Sequence, residues 1–182
     1  MVLKIELCGF IRLLDGYKYE KTQSELDGIM GQPELLAQIS QLYQKEHTFQ
    51  MIHFKMSSIQ ELNEQYGRDI GNVAISEYVK FIKNRFIDGN MIYRISGLEF
   101  VGIITDYRKM EILKKDLANN EKILNVNADY GSINIKISAH MGVIYSTDAV
   151  NAKDAVRKTS EALKIAQNPR YNNNYAYYKD IR

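Results

Sequence analysis

The chain has 182 residues, of which 45% are hydrophobic and 25% are charged, and its formal net charge is +2. This length suits one domain with a sizeable core and excludes two full domains. The small net charge gives no strong field to attract nucleic acid or an acidic membrane, and the single cysteine, Cys8, excludes an intramolecular disulfide or a cysteine-built zinc site. Residues 1–16 are too short and too charged to span a membrane, so we expect no membrane segment and a cytoplasmic location.

The first half of the sequence combines strand-like and helical patterns. The predicted elements are a strand over 2–14, a polar helical connector over 17–26, a helix over 33–46, a strand over 47–56 and helices over 58–67 and 72–87. Ser58 and Glu61 have the spacing of a capping box at the start of the third helix, and Gly67 suits its end.

The second half of the sequence begins with a predicted hairpin. Two strands within 91–104 flank Ser96 and Gly97, which suit a two-residue turn because glycine accepts a positive φ at little cost. The remaining predicted elements are a helix over 106–120, a strand over 133–146, a helix over 152–167 and a short edge strand within 171–180. Gly142 marks a bulge or a close backbone approach. This order predicts an α+β fold with a ferredoxin-like antiparallel sheet flanked by helices.

Several short motifs follow one another at characteristic spacings. They are SELDGIMGQ at 24–32, FKMSSIQELNEQYGRDIGN at 54–72, YRISGLEF at 93–100, ISAHMGV at 137–143 and EALKIAQ at 161–167. In order and separation these motifs resemble the GGDEF domain, the diguanylate cyclase family, over residues 24–182. The resemblance implies a nucleotidyl-cyclase-like sheet and bacterial signalling through cyclic-di-GMP, which active members make from two GTP molecules.

Residues 1–23 carry a second resemblance, to the last strand of a PAS sensor domain and the linker helix that follows it. We therefore expect a domain boundary between residues 23 and 24. The resemblance implies that the chain comes from a longer signalling protein with a neighbouring PAS domain. An EAL phosphodiesterase domain after Arg182 is a further expectation, by association only.

This sequence departs from the family pattern most strongly at the residues that bind magnesium. Its two carboxylate positions align with Lys55 and Leu98. Magnesium needs oxygen ligands, and replacing a carboxylate by an ammonium about 4 Å from the metal turns attraction into repulsion of order a few kcal/mol. We therefore expect no metal, no cofactor and no catalysis from this chain.

Glu99 aligns with the fourth residue of the family signature and is the one retained catalytic candidate. It either acts as an acid, a base or a partial metal ligand, or it is an exposed strand glutamate beside Arg94. In the first case the chain is an active diguanylate cyclase with non-standard magnesium ligation, which is the alternative to an inactive domain.

Nucleotide recognition is altered less than the metal site. Asn63 aligns with an asparagine that contacts guanine, and Asn72 aligns with the aspartate that pairs with the guanine edge. An amide offers one acceptor where a carboxylate offers two, so guanine binding is weakened. Asn63 is otherwise a solvated helix residue and Asn72 a helix N-cap. Gly97 permits close approach of phosphates, or serves only the hairpin.

The product-inhibition site of the family is an Arg-x-x-Asp motif just before the signature. Arg85 and Asp88 have this spacing but lie two residues further upstream than expected, so a helix-end charge pair is the competing interpretation.

The sequence thus predicts a catalytically inactive GGDEF domain that acts as a regulatory or dimerisation module in cyclic-di-GMP signal transduction. Its expected partners are GTP or cyclic-di-GMP, neighbouring PAS and EAL domains, and a second copy in a homodimer.

Overall fold

The structure is a computed structural model that describes residues 26, 28–119 and 123–181. The predicted strand over 2–14, almost all of the connector over 17–26 and the domain boundary after residue 23 lie outside the described residues. The boundary and the PAS resemblance therefore stay predictions.

The helices and strands of the described residues follow one another in the order that the sequence predicts, with one additional strand. The helices are α1 (Gln32–Gln44), α2 (Ile59–Tyr66), α3 (Arg68–Phe86), α4 (Tyr107–Ala118) and α5 (Ala152–Ala166). The strands are β1 (Gln50–Met56), β2 (Ile92–Arg94), β3 (Glu99–Ile104), β4 (Asn125–Tyr130), β5 (Ile133–Tyr145) and β6 (Tyr175–Tyr177). Short 3-10 turns follow at Ser146–Asp148 and Tyr178–Asp180.

The strands form one sheet in the order β2-β3-β1-β5-β4. All neighbours along this path are antiparallel. The long strand β5 pairs with β4 through its first half, and its second half pairs in parallel with β6. The predicted α+β fold with a central antiparallel sheet flanked by helices is confirmed.

The central strand β1 has alternating side chains that divide the core into two layers. Ile52 and Phe54 pack under α3 and α4, where the Phe54 and Phe100 rings stack with centroids 5.7 Å apart. Met51 packs on the other face, under α1 and α5, with Leu35 and Val101. His53 and Lys55 lie on this second face because side chains alternate along a strand.

Gly142 lies where helix α5 crosses the sheet. A Cβ atom at this position would be 2.3 Å from the backbone nitrogen of Leu163 and 2.4 Å from the carbonyl oxygen of Thr159. The close backbone approach predicted for Gly142 is therefore present.

The predicted two-residue turn at Ser96 and Gly97 is wrong. Four residues, 95–98, connect β2 to β3, and Gly97 is not among the glycines with positive φ. A two-residue turn occurs instead between β4 and β5, where Tyr130 pairs with Ile133 and Gly131 has a φ of 60°. Glycine at the first turn position is the requirement of a type II′ hairpin.

The start of one helix and the capping of another also differ from prediction. Helix α3 begins at Arg68, directly after Gly67, whose φ of 91° ends α2 as expected. Asn72 is therefore inside α3, and its prediction as an N-cap is wrong. Ser58 precedes α2 without a capping hydrogen bond from its side chain, because its hydroxyl oxygen accepts from the Ser138 backbone N–H at 2.9 Å.

Candidate nucleotide site beside the β2-β3 hairpin

The β2-β3 connection is held by the side chain of Arg94. Its guanidinium donates from Nη2 to the carbonyl oxygen of Gly97 at 3.0 Å and from Nε to that of Ser96 at 3.3 Å. The same group lies over the Phe100 ring, 5.5 Å from its centroid. These contacts fix the loop that carries Leu98, and they leave the Arg94 side chain at the edge of the cavity described below.

A row of polar side chains crosses three neighbouring strands next to this loop. Lys55 on β1 pairs in register with Glu99 on β3 and with His140 on β5. The Lys55 ammonium lies 2.9 Å from Glu99 Oε1, and their side chains are 39% and 24% exposed. The one carboxylate in the row thus has a cation from the same chain as its direct partner.

This row does not fit a magnesium ion. Magnesium takes several oxygen ligands in near-octahedral geometry, usually including one or two carboxylates. Glu99 offers one carboxylate, Lys55 already neutralises it, and Leu98 adds no oxygen from its side chain. Among residues 26, 28–119 and 123–181, no group of three or more His, Cys, Asp or Glu side chains is arranged to hold a metal.

His53 lies behind Glu99 and is 4% exposed. Its Nε2 is 3.6 Å from Glu99 Oε2, beyond hydrogen-bond distance, and its Nδ1 is 3.2 Å from the hydroxyl of Ser160 on α5. Burial lowers the pKa of His53 to about 4, and the Glu99 charge opposes this shift only in part. His53 is therefore neutral at pH 7. The sequence analysis did not select it, although a histidine within an apolar strand was a visible signal.

A cavity of about 530 Å³ opens between α2, the start of α3 and the β2-β3 loop. It is lined by Ile59, Gln60, Asn63, Arg68, Asn72, Ile75, Arg94, Gly97 and Leu98. The structure thus brings together Asn63, Asn72 and Gly97, the three residues that the resemblance assigns to nucleotide binding. Three amides and two guanidinium groups supply the polar part of this lining, which contains no carboxylate.

Asn63 is placed by its packing against helix α3. Its Oδ1 is buried without a hydrogen-bond partner, and a Cβ at Gly71 would lie 1.9 Å from that oxygen. A side chain at position 71 would therefore displace the Asn63 amide from its present position, next to the Asn72 side of the cavity.

Arg68 is a cavity residue that the sequence analysis missed. It is the first residue of α3, and a cation in the first turn of a helix opposes the helix dipole. An anion bound at the same helix end would compensate for this position. Because the sequence analysis placed the helix start at residue 72, this signal was visible only once the structure showed the start at Arg68.

Arg85 and Asp88, the predicted product-inhibition pair, are each held by helix α4. Arg85 Nε lies 2.5 Å from Asp116 Oδ2, and Asp88 forms an ion pair with Lys109. A ligand that bound both residues would have to replace these two contacts. Their role toward cyclic-di-GMP stays a prediction.

The sequence matches the family described as diguanylate cyclase, GGDEF domain, over residues 30–173. This match covers most of the chain, and the chain belongs to the GGDEF family. The resemblance drawn from its motifs is thereby confirmed, and cyclic-di-GMP signalling is the context that the family implies.

Solved structures of GGDEF domains share this fold. A diguanylate cyclase/phosphodiesterase from Caldicellulosiruptor saccharolyticus has a TM-score of 0.66 and 19% identity, over 82% of this chain and 88% of that one. The active GGEEF domain of a Vibrio cholerae diguanylate cyclase has a TM-score of 0.61 and 18% identity, over 82% and 97%. The GGDEF domain of DgcB from Caulobacter crescentus, solved in complex with c-di-GMP, has a TM-score of 0.62 and 14% identity, over 81% and 85%.

Curated relatives include uncharacterized membrane proteins from Staphylococcus aureus strains. They are 23% identical over 173 residues, which is 90% of this chain and 48% of the relatives. The chain thus spans about half the length of these relatives. Within the part of the chain that the structure describes, no helix is both long and apolar enough to cross a membrane. The predicted cytoplasmic location stays a prediction.

Proposed function

We propose that this chain is a catalytically inactive GGDEF domain that serves as a regulatory or dimerisation module in cyclic-di-GMP signalling. The observation that carries this proposal is the ion pair between Lys55 and Glu99, 2.9 Å long. Lys55 aligns with one of the two positions at which the resemblance implies a metal-binding carboxylate, and its ammonium is paired with Glu99, the one catalytic candidate that the signature retains. Phosphoryl transfer depends on positioning and on neutralising developing charge with metal, and this chain keeps too few anionic ligands for that task.

The same domain retains nucleotide binding without a divalent cation. Arg68 and Arg94 line the cavity, and their guanidinium groups suit phosphate oxygens. These fixed cations replace part of the charge that a metal ion supplies to a bound triphosphate. Binding then acts on an adjoining domain to the extent that its affinities for two domain arrangements differ.

The alternative function is an active diguanylate cyclase with non-standard metal ligation. The exposure of Glu99 favours it, because a side chain that is 24% accessible can exchange Lys55 for a cation from solvent. Under this alternative, magnesium strengthens GTP binding and Glu99→Gln abolishes turnover.

Calorimetric titration of GTP, in EDTA and in magnesium, distinguishes these functions. The proposal predicts that GTP binds in EDTA. Magnesium should lower the dissociation constant by less than about tenfold, which corresponds to less than about 1.4 kcal/mol of binding free energy. Restoring two carboxylates with Lys55→Asp and Leu98→Asp should create a strong magnesium dependence. Lys136→Asp, which makes the same charge change as Lys55→Asp alone but at an exposed β5 position, should not.

Two results would contradict the proposal in different ways. Tight GTP binding that requires magnesium in the unaltered chain would favour the active cyclase. Absence of GTP binding in both buffers would remove the nucleotide-binding part of the proposal.

A further inference from the structure

The side chains that line the cavity include amides and no carboxylate. We propose that this cavity does not select guanine nucleotides, and accepts adenine nucleotides about as well. The inference rests on the proposed nucleotide binding at the same site and adds the class of base that the site admits.

The two purines present different hydrogen-bonding edges. Guanine carries two adjacent donors, N1–H and the N2 amino group, beside the O6 acceptor. Adenine carries the N6 amino donor beside the N1 acceptor. A carboxylate only accepts hydrogen bonds, so it pairs with both guanine donors and faces the adenine N1 lone pair unfavourably. A carboxylate in the pocket therefore selects guanine.

An amide does not make this selection. Its oxygen accepts and its nitrogen donates, and turning the amide about its last side-chain bond exchanges the two positions. One orientation pairs with N6 and N1 of adenine, and the other pairs with O6 and N1 of guanine. Asn72 lies within α3 and contributes such an amide to the lining. Asn63 and Gln60 are held by other contacts, because Asn63 Oδ1 is buried against Gly71 and Gln60 Nε2 donates to Glu64 Oε1 at 3.0 Å.

The rest of the lining treats the two bases alike. Ile59, Ile75 and Leu98 supply apolar surface for the faces of a purine ring, which both bases share. Arg68 and Arg94 supply cations for phosphates, which are the same in ATP and GTP. The base edge is thus the one part of the ligand that differs, and Asn72 offers it an amide in place of a carboxylate.

The test is a calorimetric comparison of ATP and GTP binding to the 182-residue chain in EDTA. We expect GTP to bind less than about fivefold tighter than ATP, or ATP to bind tighter. In Asn72→Asp we expect the ratio of GTP to ATP affinity to rise about tenfold, since one well-formed bidentate contact discriminates by at least that order. Asn84→Asp makes the same change at an exposed position later on α3 and should leave the ratio unchanged.

The outcomes separate this inference from the proposed function. If the unaltered chain binds GTP more than fivefold tighter than ATP, selectivity for guanine is intact and only the inference fails. If Asn72→Asp leaves the ratio unchanged, the Asn72 amide does not contact the base edge, and the inference also fails. If neither nucleotide binds, the proposed nucleotide binding fails and this inference fails with it.

Discussion

The ion pair between Lys55 and Glu99 joins the neighbouring strands β1 and β3. Because the Lys55 side chain is 39% exposed, water screens much of its attraction to Glu99. We expect Lys55→Met to lower the free energy of unfolding by less than about 1 kcal/mol, the usual range for exposed ion pairs. Urea denaturation measures this directly. A loss of several kcal/mol would mean that the pair is chiefly structural.

His53 gives the fold a dependence on pH. Its pKa is lowered to about 4 by burial, whereas the unfolded chain binds this proton near the ordinary value of 6.5. The unfolded state therefore takes up protons first, and the free energy of unfolding falls as the pH drops from about 6.5 to 4, by up to about 3 kcal/mol. Stability from this group is fully present above pH 6.5.

Denaturation curves between pH 7 and 4 check this dependence. His53→Gln, which does not titrate, should remove at least half of the decrease. Burial and the Lys55 charge also lower the pKa of His140, which accounts for a smaller remainder in the same direction. An unchanged decrease in the variant would show that other groups are responsible.

At the level of single residues, the sequence predicted which residues would lie together but not the secondary structure that places them. Asn63, Asn72 and Gly97 converge on one cavity, as their motif positions implied. Asn72 is not an N-cap, because Gly67 ends one helix and α3 starts at the next residue. Local capping signals at Asn72 could not reveal a helix start four residues earlier.

Helix α5 packs directly on strand β5 through Gly142. Any side chain at this position meets backbone atoms of α5 at 2.3 and 2.4 Å, and backbone cannot turn aside as a flexible side chain can. We expect Gly142→Ala to destabilise the protein by about 1–3 kcal/mol, the usual cost of overpacking, as measured by chemical denaturation.

Gly97→Ala is the matched control for Gly142→Ala. A Cβ at Gly97 would have no heavy atom within 4 Å, and its φ lies outside the left-handed region, so stability should change little. If Gly97→Ala destabilised the fold as much as Gly142→Ala, the crowding explanation would be wrong.

Among the elements, strand β4 was not predicted because its sequence, NVNADY, is polar and lacks a clear alternation of apolar residues. It forms because pairing with the first half of β5 satisfies its backbone, and because Gly131 permits the turn between them. Helices with a regular apolar face, such as α1 and α5, were predictable from that periodicity alone. Long-range pairing carries no comparable local signal.

Considered as a whole, the domain has its cavity between α2, α3 and the β2-β3 loop, on the β2 side of the sheet. Because a ligand there contacts separate elements of the fold, its binding free energy adds to the stability of the whole domain. We expect GTP in EDTA, at 100 times its dissociation constant, to raise the free energy of unfolding by about 2.7 kcal/mol. Thermal denaturation with and without nucleotide measures the increase. No shift would mean that the folded domain does not bind GTP.

The fold as a whole was predictable because several motifs occur in register over most of the chain, and the family match covers residues 30–173. The chain spans about half the length of the curated relatives that it matches.

The central claim, that this domain does not synthesise cyclic-di-GMP, is tested most directly by turnover. The purified chain is incubated with GTP and magnesium, and the product is measured by liquid chromatography with mass detection. Because Lys55 and Leu98 align with the two positions at which the family resemblance implies metal-binding carboxylates, we predict no cyclic-di-GMP above a reaction without protein. Steady formation of cyclic-di-GMP that stops on addition of EDTA and in Glu99→Gln would contradict the account.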